Sequence, residues 1–240
     1  MRGMAISILV LDDDDGIRSS LALAMESEGY EPVLHAAAET ALEHVRHQPV
    51  DIMLVDLMLG AMDGFTFIRE VRRTSDAPII VVSARADTHD IVAALEAGAD
   101  DYVTKPFEVK EVSARLRALL RRPPAMTRGE AADDPPERVT LDSRDGPLVL
   151  DQGAGMVRRG DDVVHLTMTE FRLLCELATP PGRVNSRRSL LERVWDRGYF
   201  GDERIVDVHI RRLRTKIELN PSDPQLVVTV RGLGYRLDPR

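Results

Sequence analysis

Asp51-Ile52-Met53-Leu54-Val55-Asp56-Leu57-Met58-Leu59 is a short apolar run that climbs to an aspartate and falls back into apolar sequence, with glycine and turn residues beyond. Such a run reads as a buried strand of a parallel sheet. Asp56 then stands at the strand's C-terminal end, where open α/β sheets place their ligand crevices. A carboxylate there needs a partner or a metal, because burying an unpaired charge is costly. Two other stretches supply partners. Ile6–Leu11 is a second apolar strand that runs into Asp12 and Asp13, and Asp101-Tyr102-Val103-Thr104-Lys105-Pro106-Phe107 is a third that ends in a lysine. If the strands are neighbours, three carboxylates and one ammonium converge. That set suits Mg²⁺ and a phosphoryl group.

Outward from that point, residues 6–121 alternate strand and helix patterns. Ile79–Val82 and Pro32–Leu34 complete a set of five strand-like runs, the last of them weak. Helix-like segments lie between and after them, at about Ile17–Ser27, Glu39–His47, Gly64–Arg73, Asp87–Ala97 and Glu108–Arg121. Strands separated by helices of this length imply right-handed crossovers and a parallel sheet covered on both faces.

The 240-residue chain is long for one domain and comfortable for two. Its 43% hydrophobic and 30% charged residues are ordinary for a globular protein. No apolar run reaches the ~20 residues of a membrane span, and no basic flank with an apolar signal core opens the chain. Cys175 is the single cysteine, so no internal disulfide forms. These features fit a cytoplasmic protein without a membrane partner. The net charge of −8 lies wholly in residues 1–122, with 13 basic and 21 acidic residues, whereas residues 123–240 hold 19 of each. Within the second half, Arg183–Arg236 carries 12 basic and 7 acidic residues, a local field that favours polyanions.

Pro123-Pro124, Gly129 and Asp133-Asp134-Pro135-Pro136 mark a polar connector, placed at residues 123–145 between a domain at 1–122 and one at 146–240. Arg138–Asp145 has weak strand character at best. Strand-like Leu148–Leu150 and Val163–Leu166 follow; Thr167-Met-Thr-Glu170 is a capping box opening a helix through Leu177. Ser186 caps a second helix to Trp195, and Asp202–Leu219 is a third, stopped by Asn220-Pro221. Leu226–Val230 and Tyr235–Leu237 flank the turn Arg231-Gly-Leu-Gly234 as a hairpin. In the third helix Val206, Ile210, Leu213 and Ile217 form an apolar stripe. Arg204, Arg211, Arg212, Arg214, Thr215 and Lys216 lie off it, the composition of a major-groove reader, and Thr229 and Arg231 on the hairpin extend the surface.

The chemistry of the first half follows from its residue types. Asp13 and Asp56 are candidate Mg²⁺ ligands, with Asp12 close by and the Met58 backbone C=O as a further oxygen donor. Asp56 doubles as nucleophile, since carboxylates form acyl phosphates. Lys105 offsets the acids' repulsion of a phosphoryl group, and Ser83 can hydrogen-bond one of its oxygens.

Leu9-Val-Leu-Asp12-Asp13-Asp14, Val55-Asp56-Leu-Met-Leu59, Val82-Ser83-Ala-Arg85 and Gly98–Phe107 together resemble the receiver domain of bacterial response regulators, over residues 6–122. Leu166–Phe171, Ser186–Trp195, Val206–Arg214 and Thr229–Tyr235 resemble the winged-helix effector of the OmpR/PhoB family, over residues 147–238. The resemblance implies a doubly wound (βα)₅ α/β receiver followed by a winged helix-turn-helix α+β domain. It implies phosphorylation of Asp56 by a partner histidine kinase, Ser83 and Tyr102 as a switch pair, and a cis Lys105-Pro106 bond. It also implies homodimerisation through Asp100, Asp101, Glu111, Arg115 and Arg122, binding of promoter DNA to regulate transcription, and an RNA polymerase contact at Asp196–Asp202. The only enzymatic step would be self-catalysed transfer to and hydrolysis from Asp56. Two positions depart from the pattern. Gly60 stands where the family usually has proline, and Ile91 where many relatives place a basic residue.

Two other readings stay open on sequence grounds. One is a DNA-binding regulator that ignores phosphorylation. The other is an aspartyl-phosphate hydrolase, although that class usually places a second acid two residues after the nucleophile, where this chain has Met58. The acids Asp14 and Asp15 read as a solvated turn, His44 and His47 as a solvated helix face, and His165 and His209 as structural.

Overall fold

The computed structural model describes residues 6–121, 138–144, 146–195 and 202–240. The chain divides into two compact units, residues 1–120 and 121–240. In the first unit, strands β1 (Ser7–Leu11), β2 (Glu31–His35), β3 (Ile52–Val55), β4 (Ile79–Ser83) and β5 (Asp101–Thr104) alternate with helices. These helices are α1 (Asp15–Ser27), α2 (Ala38–His47), α3 (Gly64–Val71), α4 (Thr88–Ala97) and α5 (Val109–Leu120). The strands pair in parallel in the order β2-β1-β3-β4-β5. The order turns back between β1 and β3, so the crevice of a doubly wound sheet opens at their C-terminal ends.

Strand alternation divides the core between the two faces. Ile8, Val10, Ile52, Leu54, Ile80, Val82 and Val103 pack with Leu21 and Met25 of α1 and Val112, Leu116 and Leu119 of α5. The intervening residues Leu9, Leu11, Met53, Val55, Ile79 and Val81 are equally buried. Being apolar on both sides is what kept these strands readable as continuous runs. Short acids cap the starts of α1 and α3. Asp14, read as a solvated turn, accepts a hydrogen bond from Ile17 N at 2.9 Å, and Asp63 accepts one from Thr66 N at 2.7 Å.

The first described strand of the second unit, β6 (Arg138–Asp142), lies within the stretch expected as connector; four of its residues pair antiparallel with β7 (Leu148–Asp151), and the register shifts at Leu141. Residues 123–137 and Asp145 of that connector lie outside the described residues. β8 (Met156–Arg159) and β9 (Asp162–Val164) complete a four-stranded antiparallel sheet. Helices α6 (Met168–Ala178), α7 (Arg187–Val194) and α8 (Arg204–Ile217) follow, then the hairpin β10 (Val227–Val230) and β11 (Gly234–Leu237). The capping box at α6 forms in both directions, and Ser186 caps α7 through Ser189 N at 3.1 Å. In the hairpin turn Gly232 and Gly234 take φ of 75° and 142°, values that L side chains rarely adopt. Among the described residues no helix is long and apolar enough to cross a membrane.

Gly64 matters for the crevice. A Cβ there would lie 2.6 Å from Leu57 Cα and would press on the Asp56 carbonyl, so only glycine lets α3 start this close to the end of β3. Gly64→Ala is expected to destabilise the first unit by about 1–3 kcal/mol, the usual cost of overpacking. Gly60→Ala, where nothing lies within 4 Å of the added carbon, leaves it unchanged. Chemical denaturation of the two variants side by side measures the difference.

Candidate functional site

The sheet register brings the acids together. Leu11 pairs with Val55, so Asp12 and Asp56 each follow a paired strand end, and Asp56 N donates to Leu11 O at 2.8 Å. Lys105 follows β5, beside Ser83 at the end of β4, with Lys105 N donating to Ser83 O at 2.8 Å. Its side chain crosses the crevice. Lys105 Nζ donates to Asp12 Oδ2 and to Asp56 Oδ2, at 2.7 Å in each case. Asp13 is exposed at the rim, and oxygens of Asp12, Asp13 and Asp56 all lie within 4.8 Å of one another. Among the described residues this is the single cluster of three or more His, Cys or acidic side chains fit to hold a metal. Hard carboxylate oxygens at this spacing are the donors Mg²⁺ takes.

The electrostatics follow from burial. Burial pushes the Asp12 carboxyl above its ordinary value, and the hydrogen bond from Lys105 offsets this only in part. Burial also opposes the Lys105 charge, but the hydrogen bonds to Asp12 and Asp56 outweigh it and raise the ammonium above the usual lysine value. Asp12 is held further through its backbone, whose carbonyl accepts from Arg18 at 2.6 Å. No sequence pattern pointed to Arg18. It lies one turn into α1, where only the folded geometry relates it to β1.

Ser83 and Tyr102 sit next to this pocket. The Tyr102 hydroxyl donates to Arg85 O at 2.5 Å, and burial pushes it up to about 12, so it stays neutral. Ser83 Oγ is fully buried and makes no well-directed hydrogen bond among the described residues. It lies near enough to the Tyr102 oxygen to ease that shift, while the tyrosine proton goes to Arg85 O. Met58 is exposed, its N–H donating to Asp56 Oδ1 at 3.0 Å. Lys105-Pro106 is cis.

The expected dimer residues separate. Asp100 is wholly buried: it accepts from Arg72 at 2.7 Å and from Ile79 N at 2.9 Å, bracing α3 against β4. In this structure Asp100 serves the packing of its own unit. Asp101 is also buried and pairs with Arg115 at 3.0 Å, and Arg115 pairs with exposed Glu111 at 2.6 Å. Arg122 lies outside the described residues, as do residues 196–201 of the expected RNA polymerase loop. His44 packs its ring 5.2 Å from that of His35, His47 contacts Glu43 O at 2.8 Å, and His209 is buried 5.2 Å from Trp195.

Helix α8 distributes its side chains by face. Val206, Ile210, Leu213 and Ile217 are fully buried. Arg212 and Lys216, one turn apart, both reach buried Glu170, at 3.0 and 2.6 Å. Arg214 donates twice to Val227 O, at 2.9 and 2.6 Å, and once to Thr229 Oγ1 at 2.8 Å. Arg204, Arg211 and Thr215 are exposed, as are Thr229 and Arg231 on the hairpin. Being off the apolar stripe is thus not enough to mark a surface residue. Arg212, Arg214 and Lys216 serve the protein's own packing, and Glu170, visible in sequence as half of a capping box, is the acid that Arg212 and Lys216 share.

A parallel five-stranded α/β unit with an acidic crevice, joined to a three-helix unit with a hairpin wing, defines a receiver coupled to a DNA-binding module. Residues 8–117 match the model of the "Response regulator receiver domain" and residues 160–237 that of "Transcriptional regulatory protein, C terminal". Transcriptional regulatory protein AfsQ1 of Streptomyces coelicolor is 44% identical over 97% of this chain and 98% of its own. DNA-binding response regulator MtrA of Mycolicibacterium smegmatis is 41% identical over the full length of both. Among solved structures, a mutant form of RitR aligns over 98% of this chain and all of its own with a TM-score of 0.75 at 26% identity. The chain belongs to the OmpR/PhoB family of two-component response regulators, with a receiver domain and a DNA-binding transcriptional output domain.

The folded state holds the Asp12 proton more tightly than the unfolded chain does. Its ionised form therefore opposes folding at neutral pH, and ceases to as the pH falls through the raised value. Asp12→Asn is expected to raise the melting temperature of the first unit by about 3–5 °C in metal-free neutral buffer, a gain that shrinks on acidification. Calorimetry across pH reads both. In the second unit, Arg212→Ala strands part of the buried Glu170 charge and is expected to cost about 1–3 kcal/mol. Exposed Arg231→Ala stays within about 0.5 kcal/mol in the same denaturation assay.

Proposed function

We propose that Asp56 is the phosphoacceptor of this regulator and that Asp12, Asp13, Asp56 and the Met58 carbonyl would hold Mg²⁺ beside it. The observation that carries the reading is Lys105 Nζ at 2.7 Å from both Asp12 and Asp56, with Asp13 in the same oxygen cluster. Three acids face one ammonium, a shortfall of positive charge that a divalent cation would relieve. When bound, the metal would supply charge neutralisation for the incoming phosphoryl group.

This chain's own residues account for the rest. An Asp56 oxygen attacks the phosphorus of a phosphohistidine on the partner kinase, or of a small phosphoryl donor. The new bond is O–P. The bond that breaks is P–N of the imidazole, whose electron pair stays on the ring nitrogen. Lys105 exchanges its hydrogen bond to Asp56 for one to a phosphoryl oxygen, and Ser83 donates to another. Hydrolysis reverses the modification when water attacks the same phosphorus and Asp56 leaves as carboxylate. Tyr102 responds to the Ser83 contact. A face that includes Asp101, Arg115 and Glu111 then re-pairs with a second copy, since salt bridges within one chain can be exchanged across a two-fold axis. Two output domains held together bind adjacent promoter half-sites with multiplied affinity.

On DNA, Arg204, Arg211 and Thr215 of α8 would face the groove and its phosphates, with Thr229 and Arg231 of the wing alongside. Arg211→Ala is expected to weaken binding and to lower the slope of affinity against salt by about one released counterion.

The decisive measurement is intact mass and solution size after treatment with a small phosphoryl donor and Mg²⁺, wild type beside Asp56→Asn. Gain of one phosphoryl group with a shift from monomer toward dimer, both absent in the variant, supports the switch. Modification of wild type without a change in assembly or DNA affinity would hand the function to a phosphorylation-independent regulator. Repeated turnover of small phosphate esters would make it a hydrolase.

A further inference from the structure

We infer that Asp207, Arg214 and Glu218 form a wing-positioning face of α8, which fixes where Arg231 reaches DNA. The inference rests on the reading of α8 and the hairpin as the DNA-binding surface. Spacings of seven and eleven residues place these side chains within about 40° of one another on a helix. Each strand of the hairpin is tied to that face. On β10, both polar backbone groups of Val227 are taken by side chains one turn apart. Its N–H donates to Glu218 Oε1 at 2.8 Å, and its carbonyl accepts from Arg214 at 2.9 and 2.6 Å. Glu218 also accepts from Gln225 N and Leu226 N, at 3.0 Å each, so one carboxylate gathers three consecutive amides leading into the wing.

On β11, the Tyr235 hydroxyl donates to Asp207 Oδ1 at 2.6 Å, and Arg187 Nε reaches the same oxygen at 2.6 Å. The Tyr235 ring packs against two guanidinium groups, Arg187 at 5.0 Å and Arg214 at 5.5 Å from its centroid. Burial and the hydrogen bond to Asp207 together push the tyrosine up to about 12, so it remains a donor throughout the physiological range. Gly234 closes the arrangement, because a Cβ there would lie 2.9 Å from Ser186 Cα at the start of α7. Arg231 stands in the turn between the two anchored strands, so its reach is set by bonds made along both of them.

Two of the three residues are acids, which makes the inference sharply testable. An acid near DNA repels phosphate, so neutralising it should tighten binding if charge alone matters. Positioning predicts the opposite sign. The assay is fluorescence anisotropy with the full chain and a duplex selected from a randomised pool by the wild type, each variant first checked by thermal melting. Glu218→Ala is expected to weaken binding about tenfold, the order of one lost groove contact, despite the added positive charge. Glu218→Gln, which keeps an oxygen acceptor for the amides, recovers most of the affinity. Asp207→Asn, which leaves β10 untouched, provides the same sign test if Glu218→Ala does not fold.

The second readout is a double-mutant cycle with Arg231→Ala. Through positioning, Arg231→Ala costs much less in the Glu218→Ala background than in wild type. Unchanged or tighter binding by a folded Glu218→Ala or Asp207→Asn chain overturns the inference, and so does strict additivity with Arg231→Ala. If Arg231→Ala alone has no effect, the wing contact itself falls and takes this inference with it, whereas a loss confined to Arg231→Ala leaves the DNA-binding reading standing.

Discussion

The crevice of the first unit is organised by one ammonium placed between two buried carboxylates. Parallel strands in register deliver Asp12 and Asp56 to adjacent ends of β1 and β3, and the β4–β5 pairing delivers Lys105 across from them. None of these groups could be buried alone at tolerable cost. Together they can, because each of the two 2.7 Å contacts is charge-assisted. The balance is left incomplete by the residue set: one cation faces three acids, and burial still pushes Asp12 upward. A site left short of positive charge is stabilised by whatever brings more, which is the property a metal-dependent phosphoacceptor needs.

The same accounting organises the second unit, with the signs exchanged. Glu170 is fully buried on α6 and draws Arg212 and Lys216 of α8 toward it. Two cations that could have met DNA instead lock the third helix onto the first. Their removal from the outer surface narrows the basic face to residues such as Arg204 and Arg211, at positions seven apart on the helix. The third stripe, Asp207, Arg214 and Glu218, faces the hairpin. A helix that looks uniformly arginine-rich in sequence is therefore partitioned by its neighbours into core, brace, wing anchor and outer face.

That partition explains what the sequence disclosed and what it withheld. The receiver was legible because its central strands are buried on both faces, so each reads as an unbroken apolar run ending in a chemically conspicuous residue. Asp12, Asp13, Asp56 and Lys105 fall together as their strand ends required. β6 and β8 were not legible: Arg138-Val-Thr-Leu-Asp142 and Met156-Val-Arg-Arg159 are antiparallel strands with one polar face, and their pairing is decided by β7 between them. Charged residues were harder still. Asp100 reads as a surface acid until Arg72, 28 residues earlier, is found against it. Arg214 reads as a phosphate contact until Val227 O is seen to occupy it. Periodicity locates a face, but only the fold says what the face meets.

Ser83 shows how the resting receiver can hold the free energy of a switch. Its hydroxyl is buried beside the Tyr102 oxygen, without a well-directed hydrogen bond among the described residues. The Tyr102 hydroxyl, next to it, is satisfied by Arg85 O instead. On the proposed function, a phosphoryl oxygen on Asp56 would give Ser83 a charged, well-directed partner and would take Lys105 from its present bond. A hydrogen bond to a charged oxygen contributes about 1.5–3 kcal/mol, a gain in the range of typical allosteric coupling energies. It is large enough to favour a second arrangement of Tyr102 and the Asp101–Arg115–Glu111 chain, and small enough to be lost again when the phosphoryl group leaves.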